Sequence, residues 1–306
     1  MGLYLVTGGC GFIGSHLADA LLARGDQVRV LDDLSTGKRE NLDPRAELIE
    51  GDVADSALVA QAMRGVQGCF HLAAIASVER GNRDWLGTHR TNQTGTVTVF
   101  DAARSGKVPV VYASSAAVYG DCDALPLNET APTKPLSAYG ADKLGSELHA
   151  YVAHIVHGVP SIGCRFFNVF GPRQDPGSPY SGVISIFFDR LRRGDGVTIF
   201  GDGGQTRDFI YVGDVVDALL RCMEKLRGGG ASAEGAWVFN ICTGRTTAIL
   251  ELAKTIGGIC GREPRIQFAA ARAGDIRASL GDPAQAKRAL GFTAATMLQD
   301  GLKRML

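Results

Sequence analysis

Short apolar runs alternate with segments of helical periodicity through the first half of the chain. The run Leu3–Thr7 is rich in strand-forming residues and is typical of a buried parallel strand. Apolar residues then recur at helical spacing from Ile13 to Ala23, and Gly25 stands where a helix commonly ends. The same alternation predicts further strands over residues 27–31, 48–50, 68–72, 108–113 and 161–167, and helices over 88–104 and 138–156. It favours an α/β fold of Rossmann type, with a doubly wound parallel sheet.

The second half of the chain has a less regular pattern, with more loops and short mixed elements. We predict a dinucleotide-binding domain over residues 1–167, interleaved with parts of the second half, and a smaller mixed α/β substrate lobe over 168–306. Two segments rich in turn-forming residues are predicted as loops: residues 121–137 over the site, and 228–235 on the surface.

A glycine-rich loop joins the first predicted strand to the first helix. Gly8, Gly11 and Gly14 form the pattern Gly-x-x-Gly-x-x-Gly at a helix N-terminus, where backbone N–H groups and the helix dipole attract a pyrophosphate. Asp32 ends the second strand, 18 residues beyond Gly14. An acid there suits the ribose 2′-hydroxyl of NAD and repels the 2′-phosphate of NADP. Lys38 and Arg39 could instead meet the 2′-phosphate of NADP, and a tight turn that binds no ligand is a further alternative. We favour an NAD site.

A hydroxyl, a phenol and an ammonium follow this loop at a spacing that suits proton transfer. Ser115 is predicted at the carboxyl end of a strand, the edge at which open α/β sheets bind ligands. Tyr139 and Lys143 lie four residues apart and share a helix face. A neighbouring ammonium and a positive nicotinamide would lower the pKa of the phenol. The trio therefore predicts oxidation and reduction of a sugar or alcohol, although a surface pair beside a serine is the alternative.

Composition bounds the remaining possibilities. The 306 residues carry 32 basic and 32 acidic side chains, so no global field favours nucleic acid or a membrane surface. No apolar stretch reaches the length of a membrane span. The odd count of seven cysteines, without Cys-x-x-Cys spacing, indicates reduced and mostly buried thiols rather than disulfides or a metal site. We predict a cytoplasmic protein without a metal.

The motifs together resemble a known family over nearly the whole chain. The chain is similar to extended short-chain dehydrogenases/reductases of the nucleotide-sugar epimerase group, including UDP-hexose 4-epimerases. The motifs in family order are TGGCGFIGS at 7–15, HLAA at 71–74, Asn92-x-x-Gly95-Thr96, SSAAVYG at 114–120, Tyr139-x-x-x-Lys143, RFFNVFGPRQ at 165–174, FGDG at 200–203, RDF at 207–209 and RAGD at 272–275.

The resemblance implies roles for individual residues. Ser115, Tyr139 and Lys143 are the implied catalytic residues. The implied cofactor is NAD, held by Gly8, Gly11, Phe12, Ile13, Gly14, Asp32, Asp52, Val53, Leu72, Ala73, Ala74, Asn92, Tyr139 and Lys143. The implied substrate is a UDP-sugar, held by Ser77, Ser115, Asn168, Val183, Phe200, Arg207, Arg272, Asp275 and Ser279. Apolar faces on helices 88–104 and 138–156 imply a homodimer.

Departures from the motifs of related enzymes narrow the reaction. Ala116 and Ala117 stand where dehydratases of the group carry an acid pair and where decarboxylases carry Glu. Asp175 stands where epimerases of uronic acids carry Arg, and it would repel a carboxylate. The resemblance therefore implies C4 epimerisation of a neutral UDP-hexose through a 4-keto intermediate. Small Ser279 would admit N-acetylated sugars alongside UDP-glucose and UDP-galactose. The alternatives are an enzyme acting on a UDP-uronate or a dTDP-sugar, a net oxidoreductase, and a non-catalytic NAD-binding regulator.

Overall fold

The computed structural model describes residues 1–122, 124–177, 182–228, 236–271 and 276–306. Arg272 and Asp275, and most of the predicted loop 228–235, lie outside the described residues. A seven-stranded sheet, parallel throughout, lies at the centre, with the strand order β11-β6-β5-β4-β1-β2-β3. Its strands are β1 Leu3–Thr7, β2 Gln27–Asp32, β3 Glu47–Glu50, β4 Gly68–His71, β5 Val110–Ser115, β6 Ser161–Phe166 and β11 Ala236–Ile241. The predicted Rossmann-type sheet is confirmed.

Helices cover both faces of this sheet because each helix turns one apolar side towards it. Leu17 and Leu21 of α1 and Leu219 of α8 belong to the core on one face, and Val59 of α2 and Ala150 of α6 to the core on the other. The sequence places helices between consecutive parallel strands, so both faces are buried. The helices on the two faces are α1 Phe12–Ala23, α2 Ser56–Ala62, α5 Gly95–Arg104, α6 Ala138–His157, α8 Val212–Arg227 and α10 Ala284–Leu290.

The helix predicted over 88–104 forms as three consecutive segments. Helices α3 Val78–Arg83 and α4 Trp85–His89 precede a π-helical turn at Arg90–Thr94, which continues into α5. Such a turn widens the helix locally, and π segments inside helices occur often at functional sites. Helix α6 starts where the Ser137 hydroxyl accepts the N–H of Gly140 at 3.1 Å, and ends at Gly158 in the left-handed conformation.

The second half of the chain builds a separate apolar core and also completes the central sheet. Phe187 of α7, Ile199 of β8 and Leu252 of α9 are buried in that second core. Strand β11, by contrast, pairs in parallel with β6 and belongs to the central sheet. The remaining elements are β7 Asn168–Phe170, α7 Val183–Arg193, β8 Val197–Phe200, β9 Thr206–Arg207, β10 Phe209–Tyr211, β12 Thr247–Ala248, α9 Ile249–Ile259, β13 Ile266–Ala269 and α11 Leu298–Lys303.

Five of the seven cysteines are buried, as predicted. Within the part of the chain that the structure describes, no helix combines the length and the hydropathy that a membrane crossing needs.

Candidate active site

A cleft of about 440 Å³ opens at the carboxyl edge of the central sheet. Its walls come from the glycine loop, the ends of β2, β4 and β5, the start of α6 and the chain after β6. An open parallel sheet binds ligands at this edge. Of the residues singled out in the sequence, those that line the cleft are Gly8, Gly11, Phe12, Ile13, Gly14, Asp32, Val53, Leu72, Ala73, Ala74, Ser115, Tyr139, Lys143 and Asn168.

The glycine loop is built so that backbone, rather than side chains, faces the cleft. Gly8 has φ of +71°, and a Cβ there would lie 2.8 Å from the backbone of Ala73. A Cβ at Gly14 would overlap the carbonyl oxygen of Gly8. Gly11 is the N-cap residue of α1, and as a glycine it has no side chain with which to cap the helix. The first N–H groups of α1 therefore have neither an intrahelical acceptor nor a side chain at the N-cap position, which fits the pyrophosphate of a dinucleotide.

Asp32 lines the cleft at the end of β2. One carboxylate oxygen accepts the N–H of Cys10 and the other the N–H of Leu34, both at 2.9 Å. Burial raises the pKa of Asp32, and these two hydrogen bonds oppose the rise. The two N–H bonds fix the carboxylate beside the glycine loop and leave further lone pairs for a ribose hydroxyl.

Ser115 and Lys143 both lie beside Tyr139. Ser115 accepts the N–H of Ala117 at 3.1 Å, so its own hydroxyl hydrogen can point to Tyr139. The Lys143 ammonium donates to the carbonyl of Ala113 at 2.8 Å and lies 5.9 Å from the centre of the Tyr139 ring. The chain thus brings the three predicted catalytic residues, Ser115, Tyr139 and Lys143, to one wall of the cleft, hereafter the Tyr139 wall.

The pKa values of two of these groups move in directions that decide their chemistry. Burial lowers the pKa of Lys143 to about 8, with Asp142 opposing the shift, so the side chain stays mostly protonated at neutral pH. Burial raises the pKa of Tyr139, and the hydrogen bond with Ser115 opposes that rise. The sequence predicts a lowered value. The protein groups alone do not supply it, so the lowering would have to come from the positive charge of an oxidised nicotinamide.

A buried ion pair supports this wall from behind. The Arg165 guanidinium donates to both oxygens of the Glu147 carboxylate, at 2.8 and 2.7 Å. Ser114, which lines the cleft, donates to the same carboxylate at 2.5 Å. Glu147 lies one helical turn beyond Lys143 on α6, so the pair fixes α6 against β5 and β6. Sequence reasoning did not single out Glu147, and its spacing of four from Lys143 is the only local signal.

Two residues predicted to contact the cofactor have other partners and do not line the cleft. Asn92, in the π-helical turn, accepts the N–H of Ile75 at 2.7 Å and donates to its carbonyl at 3.2 Å. It therefore fixes the backbone of Ile75, which does line the cleft. Asp52 pairs with Arg90 at 2.7 Å and accepts the N–H of Ala54 at 2.8 Å.

The predicted substrate residues fall into separate places. Asn168 lies in the cleft, while the Ser77 hydroxyl caps α3 by accepting the N–H of Arg80 at 3.0 Å. Arg207 and Ser279 are brought close in the second half of the chain, because the N–H of Ser279 donates to the carbonyl of Thr206 at 3.1 Å. Val183 begins α7 and Phe200 ends β8. None of Ser77, Val183, Phe200, Arg207 and Ser279 is part of the cleft lining, and the predicted loop 121–137 adds no described residue to it.

The cleft also has lining residues that sequence reasoning missed or used differently. Thr36, Gly37 and Asn41 line it after β2, and no sequence signal distinguished them. Lys38 and Asp175 line it as well, and they face each other as an ion pair with an N–O distance of 3.0 Å. Because Lys38 balances the negative charge of Asp175, Asp175 is no longer a reason to exclude a substrate that carries a carboxylate.

Known proteins resemble the chain over nearly its full length. It is 38% identical to a UDP-glucose 4-epimerase of Mycolicibacterium smegmatis over 98% of this chain and 96% of the relative. It is 34% identical to UDP-glucuronic acid decarboxylase 1 of Arabidopsis thaliana, over 99% of this chain and 68% of the relative.

Solved structures of related proteins also match the chain over nearly its full length. A UDP-glucose 4-epimerase of Thermotoga maritima, solved with UDP-glucose, has a TM-score of 0.94 at 37% identity over 99% of this chain and 97% of that one. A UDP-N-acetylglucosamine 4-epimerase of Methanobrevibacter ruminantium, solved with UDP-N-acetylmuramic acid, has a TM-score of 0.92 at 32% identity over 99% and 96%. A UDP-glucose 4-epimerase of Thermus thermophilus, solved with NAD, has a TM-score of 0.88 at 34% identity over 99% and 97%.

The family assignment follows from a match that spans most of the described sheet. Residues 4–242, from β1 to just beyond β11, match the model of the NAD dependent epimerase/dehydratase family. The glycine loop, Asp32 and the Tyr139 wall all lie inside that range. The chain is therefore a member of the NAD dependent epimerase/dehydratase family, and its cofactor is NAD.

Proposed function

We propose that the protein is a UDP-hexose 4-epimerase that acts on UDP-glucose and UDP-galactose and also on their N-acetylated counterparts. The observation that carries this proposal is that Ser115, Tyr139 and Lys143 line the same cleft as the glycine loop, with Ser115 hydrogen-bonded to Tyr139. A phenol there can exchange a proton with a sugar hydroxyl while the sugar carbon exchanges a hydride. Epimerisation needs no second acid or base.

Each residue of the Tyr139 wall has a different role in the two half-reactions. Bound NAD supplies the hydride acceptor, and then the hydride donor, for C4 of the sugar. Tyr139 takes the proton from the O4 hydroxyl in the first half and returns it in the second. Ser115 hydrogen-bonds to the same phenol and can hold the sugar oxygen. Lys143, anchored on Ala113, keeps a positive charge beside the phenolate as it forms. Inversion requires the keto sugar to turn its other face between the two halves.

The neighbours of Ser115 favour this reaction over elimination. The next residues are Ala116 and Ala117, in a single 3₁₀ turn. Neither side chain can move a proton, so the turn offers no acid/base pair for dehydration. Decarboxylation of a UDP-uronate is the second candidate, because plant UDP-glucuronic acid decarboxylases are among the relatives and the Asp175 carboxylate is paired with Lys38.

Substrate selection is assigned to the second lobe. Arg207 is the proposed partner of the diphosphate, together with Arg272, and Ser279 is the proposed neighbour of the sugar C2 substituent. Ser279 is a small residue that follows a short bridge between Thr206 and Ala278. A small side chain there leaves room for an acetamido group. Replacing it by Tyr in the variant Ser279→Tyr should remove activity on N-acetylated sugars and spare UDP-glucose.

The reaction is tested by incubating the purified protein separately with UDP-glucose, UDP-N-acetylglucosamine and UDP-glucuronic acid, and resolving the products by NMR. C4 epimers of the first two support the proposal. Carbon dioxide and a UDP-pentose from the third would establish decarboxylation instead. The matched control is Tyr139→Phe, which should lose at least about 100-fold in turnover while its bound NAD, measured after extraction, stays at the wild-type level. Wild-type turnover in that variant would refute the role of Tyr139.

We further propose that two copies pair through α6 and the helix run beginning at α4. Leu148, Tyr151 and Ile155 of α6 are 62%, 56% and 58% exposed, and Trp85 at the start of α4 is 68% exposed. Apolar side chains on one helix face lose contact with water when a second copy covers them. Ile155→Asp should give a monomer in analytical ultracentrifugation. Phe268→Asp, at a site on β13 that is 59% exposed, is the matched control and should leave the mass of the assembly unchanged. A monomeric wild type would overturn the proposal.

A further inference from the structure

Two basic residues follow Asp32 and face carboxylates from other parts of the chain. The Lys38 ammonium lies 3.0 Å from Asp175, which comes from the second half of the chain after β7. The Arg39 guanidinium lies 2.8 Å from Glu50 at the end of β3. Lys38 lines the cleft near Asp32, at the proposed ribose end of the NAD site, and Arg39 is the next residue along the chain. Each of them has an acidic partner in the structure.

Backbone contacts tie Lys38 to the Asp32 carboxylate. The N–H of Lys38 donates to the carbonyl of Cys10 at 3.0 Å, and the N–H of Cys10 donates to Asp32 at 2.9 Å. Gly37 lies against the same carboxylate, since a Cβ built on it would be 2.8 Å from an Asp32 oxygen. Lys38 therefore cannot move far from Asp32. Its charge, unless neutralised, would offset the repulsion that Asp32 exerts on a phosphate.

We propose that Asp175 and Glu50 determine cofactor specificity by acting as counter-ions that keep Lys38 and Arg39 from binding the 2′-phosphate of NADP. A phosphate monoester carries about −1.5 to −2 charges at neutral pH, so it responds strongly to the local balance of charge. The carboxylates of Asp32, Asp33, Glu50 and Asp175 outnumber the two cations.

NAD has only a hydroxyl at this position and is nearly indifferent to that balance. This inference concerns the cofactor, and it holds whichever nucleotide sugar is the substrate.

Replacing either partner of the Lys38–Asp175 ion pair tests whether the pair acts through charge or only holds the two halves of the chain together. Asp175→Asn releases the Lys38 charge, whereas Lys38→Met removes it, and both break the same contact between the two halves of the chain. Each purified variant is incubated with equal concentrations of NAD and NADP until the bound ratio no longer changes. The protein is then separated from free nucleotide, and the bound nucleotides are extracted and quantified. The ratio of bound NADP to NAD is the readout, because a weaker tether affects both dinucleotides alike.

Asp175→Asn should raise the bound NADP-to-NAD ratio roughly 5- to 10-fold at low salt, as expected for one unit charge acting on a phosphate near the protein surface. Lys38→Met should not raise it, and the double variant should return to the wild-type ratio. Glu50→Gln should act in the same direction as Asp175→Asn, and the increase should shrink in 1 M salt. An unchanged ratio in Asp175→Asn would overturn the proposal. An equal rise in Lys38→Met would overturn it too, because the contact would then act only as a tether.

Discussion

Replacing Glu147 by Gln tests whether the buried ion pair behind the Tyr139 wall holds the enzyme together. The Glu147 and Arg165 side chains are only 8% and 6% exposed, and the carboxylate accepts two hydrogen bonds from Arg165 and one from Ser114. Gln keeps the shape of Glu but removes its charge, and its NH₂ group cannot accept a hydrogen bond from the guanidinium. The Arg165 cation then remains buried, and among the described residues its other acceptors are the Tyr119 hydroxyl and the Glu129 carbonyl.

The expected loss is large because an uncompensated buried charge costs more than a lost surface contact. Breaking a buried pair from one side typically destabilises a protein by about 3–5 kcal/mol, and a fall in melting temperature on the order of 10 °C follows for a chain of this size. Urea unfolding followed by circular dichroism measures the free energy, and calorimetry measures the melting temperature. Turnover should fall as well, since Ser114 lines the cleft.

A second variant separates the charge from the packing. Glu147→Leu combined with Arg165→Met removes both charges and fills a similar volume, so it should be less destabilised than Glu147→Gln alone. A loss below about 1 kcal/mol in Glu147→Gln, the range of exposed ion pairs, would refute the reasoning, because other groups, such as the nearby Glu129 carboxylate, would then compensate the Arg165 charge.

Further predictions concern the glycine loop, Lys143 and Asp208. Gly14→Ala should fail to fold or should lose NAD binding, because the added Cβ overlaps backbone atoms. Gly11→Ala should fold and bind NAD more weakly, because its added Cβ meets only the Gly8 carbonyl, at 3.2 Å. Circular dichroism and quantification of the extracted nucleotide distinguish the two results. The free energy of unfolding of the NAD-free wild type should rise with pH, relative to that of Lys143→Met, between about pH 8 and 10.5. The reason is that Lys143 keeps its proton in the unfolded chain over this range but loses it when buried in the folded protein. A difference in free energy that does not change with pH would contradict the lowered pKa. Asp208→Asn should cost about 1–3 kcal/mol in urea unfolding, because Asp208 is fully buried and accepts hydrogen bonds from Thr243 and Gly244, and an amide cannot accept all of them. An unchanged urea midpoint would show that the loop after β11 does not depend on this carboxylate.

Local features of the sequence predicted the parts of the fold that local interactions determine. The strand Leu3–Thr7, the helix after it and Asp32 at the end of β2 all lie where their patterns indicate. Those patterns report burial and chain direction among neighbours in sequence, which a single chain displays directly. The catalytic wall was predictable for a similar reason, since Tyr139 and Lys143 lie on one turn of one helix.

Contacts between distant residues were not predictable in the same way. Asn92 fixes the backbone of Ile75, a contact that its motif did not indicate. Asp175 faces Lys38 across 137 positions of the chain, and no periodicity reports such a pairing. The pKa of Tyr139 depends on how deeply the folded protein buries it, which the spacing of residues does not reveal.

The position of β11 has a consequence for the synthesis of the protein. Strand β6 is buried along its whole length and pairs on one side with β5 and on the other with β11, whose residues lie 75 positions later. A nascent chain that has left the ribosome only as far as β6 therefore presents an apolar strand edge with unpaired N–H and C=O groups, a template for pairing with other chains. The first 167 residues, although they contain the glycine loop and the Tyr139 wall, should aggregate when expressed alone.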